Sequence, residues 1–232
     1  LMPEAAHELS WIFIILTSIS VVYGAFGAIV QKDLKYINAY SSVSHCGLVL
    51  FAILMMNKTA LNGAVIQMIS HGLMTALFFA LIGMIYGRTH TRMINEMGGL
   101  MKIVPFLSVA YVIAGLASLG LPGLSGFVAE MTVFVGAFQH PDLFHRVVTI
   151  VAITSIVITA VYILRVIAIL LLGPSTNEHY DHLRDARWYE KVSVVTLITF
   201  IAVIGMAPFL LTSLLSTGIQ PIIDKILAYA QF

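Results

Sequence analysis

The stretch Gly115–Glu130, GLASLGLPGLSGFVAE, constrains this chain more than any other. Apolar sequence flanks it on both sides, so it belongs inside a membrane. Yet it carries Gly115, Gly120, Pro122, Gly123 and Gly126, the residue types a helix tolerates least. Proline removes a backbone donor and clashes with the preceding turn, and glycine lowers the cost of leaving helical geometry. Backbone freed at membrane depth persists only where protein or a water-filled cavity satisfies it. Four residues after the last glycine comes Glu130, followed by apolar Met131 to Phe138. A broken helix beside an intramembrane carboxylate is a pattern tied to ion or proton handling. The competing reading is a proline kink with a buried, hydrogen-bonded glutamate.

Composition supports the membrane setting. Hydrophobic residues make up 59% of the chain and charged residues 10%, against about 25% charged in ordinary soluble domains. A net charge of +1 argues against a nucleic-acid partner. The lone cysteine, Cys46, excludes an internal disulfide framework and reads as a small packing residue in an apolar span. Nothing has zinc-ligand spacing, and neither a metal nor a cofactor is expected in this chain. LMPEAAHELS lacks a basic region leading into an apolar core, so it reads as a loop between spans, and the chain as a piece of a longer protein.

Six apolar segments are long enough to cross a bilayer of about 30 Å: Leu9–Val30, Leu34–Met56, Leu61–Tyr86, Ile103–Phe138, Val147–Leu172 and Val192–Leu215. The expected fold is an all-α integral membrane protein of six transmembrane helices, the fourth discontinuous at Gly120–Gly126. Pro208 should kink the last span. The polar loop Gly173–Lys191 has room for a short surface helix, and STGIQPIIDKILAYAQF reads as an amphipathic tail. Basic residues divide unevenly between the two ends of the spans. Eight (Lys32, Lys35, Arg88, Arg92, Lys102, Arg184, Arg187, Lys191) fall on one side and three (Lys58, Arg146, Lys225) on the other. The richer side should be cytoplasmic.

Polar side chains line several spans. Ser41, Ser44 and His45 share one face of the second, and Gln67, His71 and Thr75 a stripe on the third, with Ser70 beside it. Buried histidines serve as interhelical hydrogen-bonding groups or, with a pKa near neutrality, as proton carriers. Two mid-membrane histidines and one carboxylate make a credible relay. Lys35 fits an interfacial lysine or a cytoplasmic inlet to the same polar line. Arg165, in the fifth span, fits a snorkelling anchor or a place on a proton path. No nucleotide-binding loop, iron–sulfur cysteine cluster or nucleophile–base pair is present in the sequence.

Taken together, QKDLKYINAYSSVSHCG, QMISHGLMTALFFALIGMIYGRTHTR, MGGL and GLASLGLPGLSGFVAE resemble the proton-conducting, antiporter-like membrane subunits of respiratory complex I. Glutamate at position 130, where related subunits more often have lysine, resembles the M-type members best. The resemblance implies helices 9 to 14 of a fold of 14 transmembrane helices. Residues 1–172 would be the second inverted five-helix repeat, 173–191 a cytoplasmic loop, and 192–232 the last transmembrane helix and its tail. It implies a non-redox subunit of a proton-translocating NADH:quinone oxidoreductase in a bacterial inner membrane, beside other antiporter-like subunits. Glu130 would then be the protonatable residue near the periplasmic exit, His71 part of the central polar axis and His45 its neighbour. A multisubunit sodium/proton antiporter or a membrane-bound hydrogenase is the alternative assembly, and a non-conducting scaffold the alternative role.

Overall fold

The computed structural model describes residues 8–174, 180 and 182–230. Eight main helices follow one another: α1 Ser10–Val30, α2 Leu34–Leu54, α3 Lys58–Thr89, α4 Pro105–Ser118, α5 Ser125–Phe138, α6 Leu143–Ile167, α7 Trp188–Met206 and α8 Pro208–Ala230. Among the described residues there is no strand, only an isolated bridge between Asp33 and Met93. Short polar side chains set the helix starts. Asp33, Asn57 and Asp142 each accept from a backbone N–H two or three residues on, at the first turns of α2, α3 and α6. At its far end α3 stops on His90, whose φ of 56° takes the chain out of the helix.

Among the described residues five helices are long and apolar enough to cross a membrane by themselves, with α6 continued by a π-helical turn to Leu172. The fourth expected span becomes α4 and α5, each of 14 residues. At 1.5 Å per residue each covers about 21 Å, so neither crosses a bilayer alone.

Two ends differ from expectation. Val192–Leu215 is not one kinked helix: α7 ends at Met206 and Pro208 opens α8. Proline suits a first helical turn, where its missing N–H goes unclaimed, and it pushes the preceding residue, here Ala207, out of the helical region. The surface helix expected in 173–191 falls partly on 175–179 and 181, outside the described residues; Tyr180 and His182 lie in a 3-10 turn, with the Leu183 N–H reaching the Tyr180 carbonyl at 3.0 Å, and 183–187 are not helical. Cys46 is exposed and not a packing residue, because it points away from the face shared by Ser41, Ser44 and His45.

Packing draws two apolar cores from the bundle. One gathers Leu77, Leu81 and Ile85 of α3 with Leu107 and Tyr111 of α4 and Val166 and Leu170 of the α6 end. The other joins Val21, Phe51, Ala64, Val133 and Ala152 of α1, α2, α3, α5 and α6. Around them large apolar side chains stay exposed, among them Trp11, Leu16 and Phe26 on α1 and Ile150, Val157 and Leu164 on α6. Such a surface belongs in lipid or against another apolar surface. The three basic loops meet at one end: Leu34 donates to the Arg92 carbonyl, Ile94 to that of Lys32, and the Arg88 guanidinium to Glu190 and the Arg184 carbonyl.

Candidate functional site

The site forms where α4 gives way to α5. Gly120 closes α4 with a φ of 65°. The N–H of Leu121 reaches the Leu116 carbonyl at 3.1 Å and that of Gly120 reaches Ala117 at 3.2 Å, the paired bonds of a Schellman end. The Leu116 and Ala117 carbonyls are thereby satisfied within the backbone. Leu119 to Leu124 carry the chain across the break, with Pro122 exposed, and α5 restarts at Ser125. Gly126 lies so near the end of α4 that a side-chain carbon there would stand 2.2 Å from the Ala117 carbonyl oxygen. The Ser125 hydroxyl meets that of Ser70 on α3 at 2.7 Å, which fixes the start of α5 against α3.

Glu130 comes one and a half turns into α5 and is 7% exposed. Its carboxylate folds back beneath the break: a side-chain carbon on Gly120 would lie 2.7 Å from Oε2. The other oxygen, Oε1, is 3.7 Å from His45 Nδ1 on α2. His45 is buried, and its ring lies 5.1 Å from that of His71 on α3, centre to centre. His71 in turn contacts the Thr75 hydroxyl at 3.3 Å. Glu130, His45 and His71 therefore form one continuous group drawn from three helices.

The partners of His45 outline a two-position arrangement. With the Gln67 amide oriented as it stands, Nε2 of Gln67 donates to His45 Nδ1 at 3.2 Å, and His45 Nε2 faces the Ser118 hydroxyl at 3.4 Å. That is the pattern of a neutral imidazole. A protonated ring would have to donate from Nδ1, and Glu130 Oε1 is the carboxyl oxygen beside it, at 3.7 Å. The Gln67 carbonyl oxygen is buried without a protein partner, so the amide can turn over to follow that change. A cavity of about 10 Å³ between Ser44, Ser118, Glu130 and Thr159 adjoins the pair, room for about one water.

The other expected residues lie elsewhere. Lys35 is exposed at the start of α2, ten residues and thus about 15 Å along the helix from His45. Arg165 reaches the Ile29 carbonyl with Nη1 and ties α6 to the end of α1. Ser44 donates to the Val21 carbonyl at 2.8 Å and Ser41 accepts from the buried Tyr162 hydroxyl at 2.7 Å, so these two serines join helices.

Some of the geometry goes unread in the sequence. Ser118 and Tyr162 approach the polar line from helices 73 and 121 residues away in sequence, a separation no local pattern crosses. The reading that nothing has zinc-ligand spacing also passed over one cluster of side chains. His140, Asp142 and His145 lie together at the end of the bundle opposite the basic loops. The available signal was H-x-D-x-x-H around a helix start. Slight burial works to raise the Asp142 pKa, and the hydrogen bonds and charge of His145 together hold it below the ordinary carboxylate range.

Comparison with known proteins places this geometry among relatives. The family model described as NADH:quinone oxidoreductase/Mrp antiporter, transmembrane, matches residues 1–159. NADH-quinone oxidoreductase subunit M of Rickettsia conorii is 34% identical over 225 residues, which cover 97% of this chain and 45% of that protein. The chain thus spans less than half the length of the curated relative it matches. A chain of respiratory complex I from Thermus thermophilus superposes with a TM-score of 0.88 at 25% identity, covering 99% of this chain and 47% of that one. A chain of the Mrp complex from a Dietzia species shares the fold, with a TM-score of 0.85 at 19% identity over 97% of this chain and 50% of the other.

Proposed function

The chain belongs to the NADH:quinone oxidoreductase/Mrp antiporter transmembrane family, and from that premise we propose that it carries the release half of a proton pathway in an NADH:quinone oxidoreductase. One observation carries the reading: the carboxylate of Glu130 sits under a helix break, within 3.7 Å of a histidine whose ring adjoins a second histidine. His71 receives a proton from the polar line, His45 passes it on, and Glu130 holds and releases it. Gln67 reorients as His45 changes charge. The redox chemistry belongs to other subunits, beside which this chain lies in a bacterial inner membrane. Residues 1–172 act as the second five-helix repeat, and the end bearing Lys32, Arg88 and Arg184 faces the cytoplasm.

Named sequence relatives favour an NADH:quinone oxidoreductase over a sodium/proton antiporter, since subunit M is such a protein, whereas the Mrp likeness speaks for the fold alone.

The test is a pair of substitutions in the full, assembled complex. Glu130→Gln keeps shape and hydrogen bonding but cannot ionise, and should lower proton pumping at least tenfold while leaving the amount of assembled complex normal. Glu130→Asp keeps the acid and should retain part of the activity. Wild-type pumping from both would make Glu130 a structural residue and overturn the proposal.

A further inference from the structure

His140, Asp142 and His145 stand apart from the site above, at the link between α5 and α6. His140 Nε2 donates to the Met55 carbonyl at 2.6 Å, so in the neutral ring Nδ1 presents its lone pair. That atom is 3.9 Å from Asp142 Oδ1. His145 Nδ1 is 2.6 Å from Asp142 Oδ2, and the two imidazoles stack with centres 4.1 Å apart. One ligand atom from each of the three residues lies within 4.8 Å of the others. The side chains are 24%, 46% and 20% exposed in chain order, open enough for an ion to arrive from solvent. Arg146 is turned aside onto the His140 carbonyl at 3.1 Å.

This donor set has the features of a metal site. Ligating histidines usually donate their second ring nitrogen to a carbonyl or carboxylate, which fixes tautomer and orientation, and His140 has that support from Met55. Asp142 is held by its cap bond from the His145 N–H at 3.1 Å. Two imidazole nitrogens and one carboxylate oxygen suit zinc-class ions at about 2.0–2.2 Å, with water as the fourth ligand. Calcium and magnesium prefer shells of oxygen alone. Tetrahedral bonds of that length set ligand atoms roughly 3.3 Å apart, so closure asks for a movement of about 1–1.5 Å, within reach of ring rotation at an open surface. The ion would take the place of the proton between Asp142 and His145.

We propose that His140, Asp142 and His145 form a binding site for a divalent transition-metal ion of the zinc class. Through Met55 the occupant also braces the α2–α3 loop against the end of α5, the helix that carries Glu130.

The experiment uses the assembled membrane complex containing this subunit, stripped with chelator and titrated with Zn²⁺ alone. His145→Gln is the variant of choice, since it leaves the Asp142 cap and the His140–Met55 bond in place. Metal analysis should find one zinc fewer per complex in the variant, or at least a tenfold weaker affinity for one zinc. On the parent complex, Zn²⁺ should slow modification of His140 and His145 by diethylpyrocarbonate at least fivefold, read by mass spectrometry, while exposed His90 at the opposite end reacts as before. Equal zinc binding by parent and variant would overturn the site. So would unchanged modification of both histidines in the parent, which needs no variant to fold.

Discussion

At the scale of residues, energetics separate polar groups that join helices from those that do something else. A hydrogen bond across membrane helices contributes about 0.6 kcal/mol on average, and Ser44 to Val21 is such a bond. A charged side chain at mid-membrane costs about 2.5–3.5 kcal/mol on insertion scales. Helix joining of that size does not offset such a cost whenever Glu130 carries its charge. The histidines beside it are separable from glue by experiment. His45→Gln and His71→Gln keep a hydrogen-bonding amide and should leave assembly normal, while proton pumping falls severalfold for each. Unchanged pumping in either variant would return that histidine to a structural role. Glu130 and both histidines were legible in the sequence, because ionisable groups inside apolar runs announce themselves. Their pairing was not: His45 and Glu130 are 85 positions apart, and only the approach of α2 to α5 sets them at 3.7 Å.

At the scale of elements, the break depends on how closely two half-helices approach. An added methyl at Gly126 would meet the Ala117 carbonyl oxygen at 2.2 Å, a backbone atom that cannot swing aside. Gly126→Ala must therefore push α4 and α5 apart. At about 1–3 kcal/mol, typical of overpacking, it should lower the thermal midpoint of the complex and reduce pumping. Gly72→Ala on α3 is the control, since beyond the adjoining residues and backbone of its own helix nothing lies within 4 Å of its added carbon and alanine is the better helix former by roughly 1 kcal/mol. Equal midpoints for both variants would show that the contact at Gly126 does not hold the break. Glycine and proline made this element visible in advance. The same reasoning misplaced Pro208, since a proline inside an apolar run is compatible with a kink and with a new helix. The backbone at Ala207 decides for the second.

For the whole molecule, orientation follows from charge. The loops bearing eight basic residues gather at one end, as the bridge between Asp33 and Met93 and the bonds of Arg88 show. In a Cys46→Ala background, cysteine at exposed Asn95 should react only with reagent supplied from the cytoplasmic side, and cysteine at exposed Lys58 only from the other. The reverse pattern would invert the topology. Among the first residues of α4, Pro105 has no N–H to offer and Ser108 donates to the Val104 carbonyl at 3.0 Å. The remaining donors, Phe106 and Leu107, end on the two carboxylate oxygens of Asp185, at 2.8 and 3.4 Å. Asp185 lies 79 residues after Phe106, and a ribosome adding about 5–20 residues per second supplies it roughly 4–16 s later. Until then the N–H groups of Phe106 and Leu107 lack the partner they have in the finished structure. The broken helix is thus completed out of chain order, sealed by a loop synthesised only after α5 and α6.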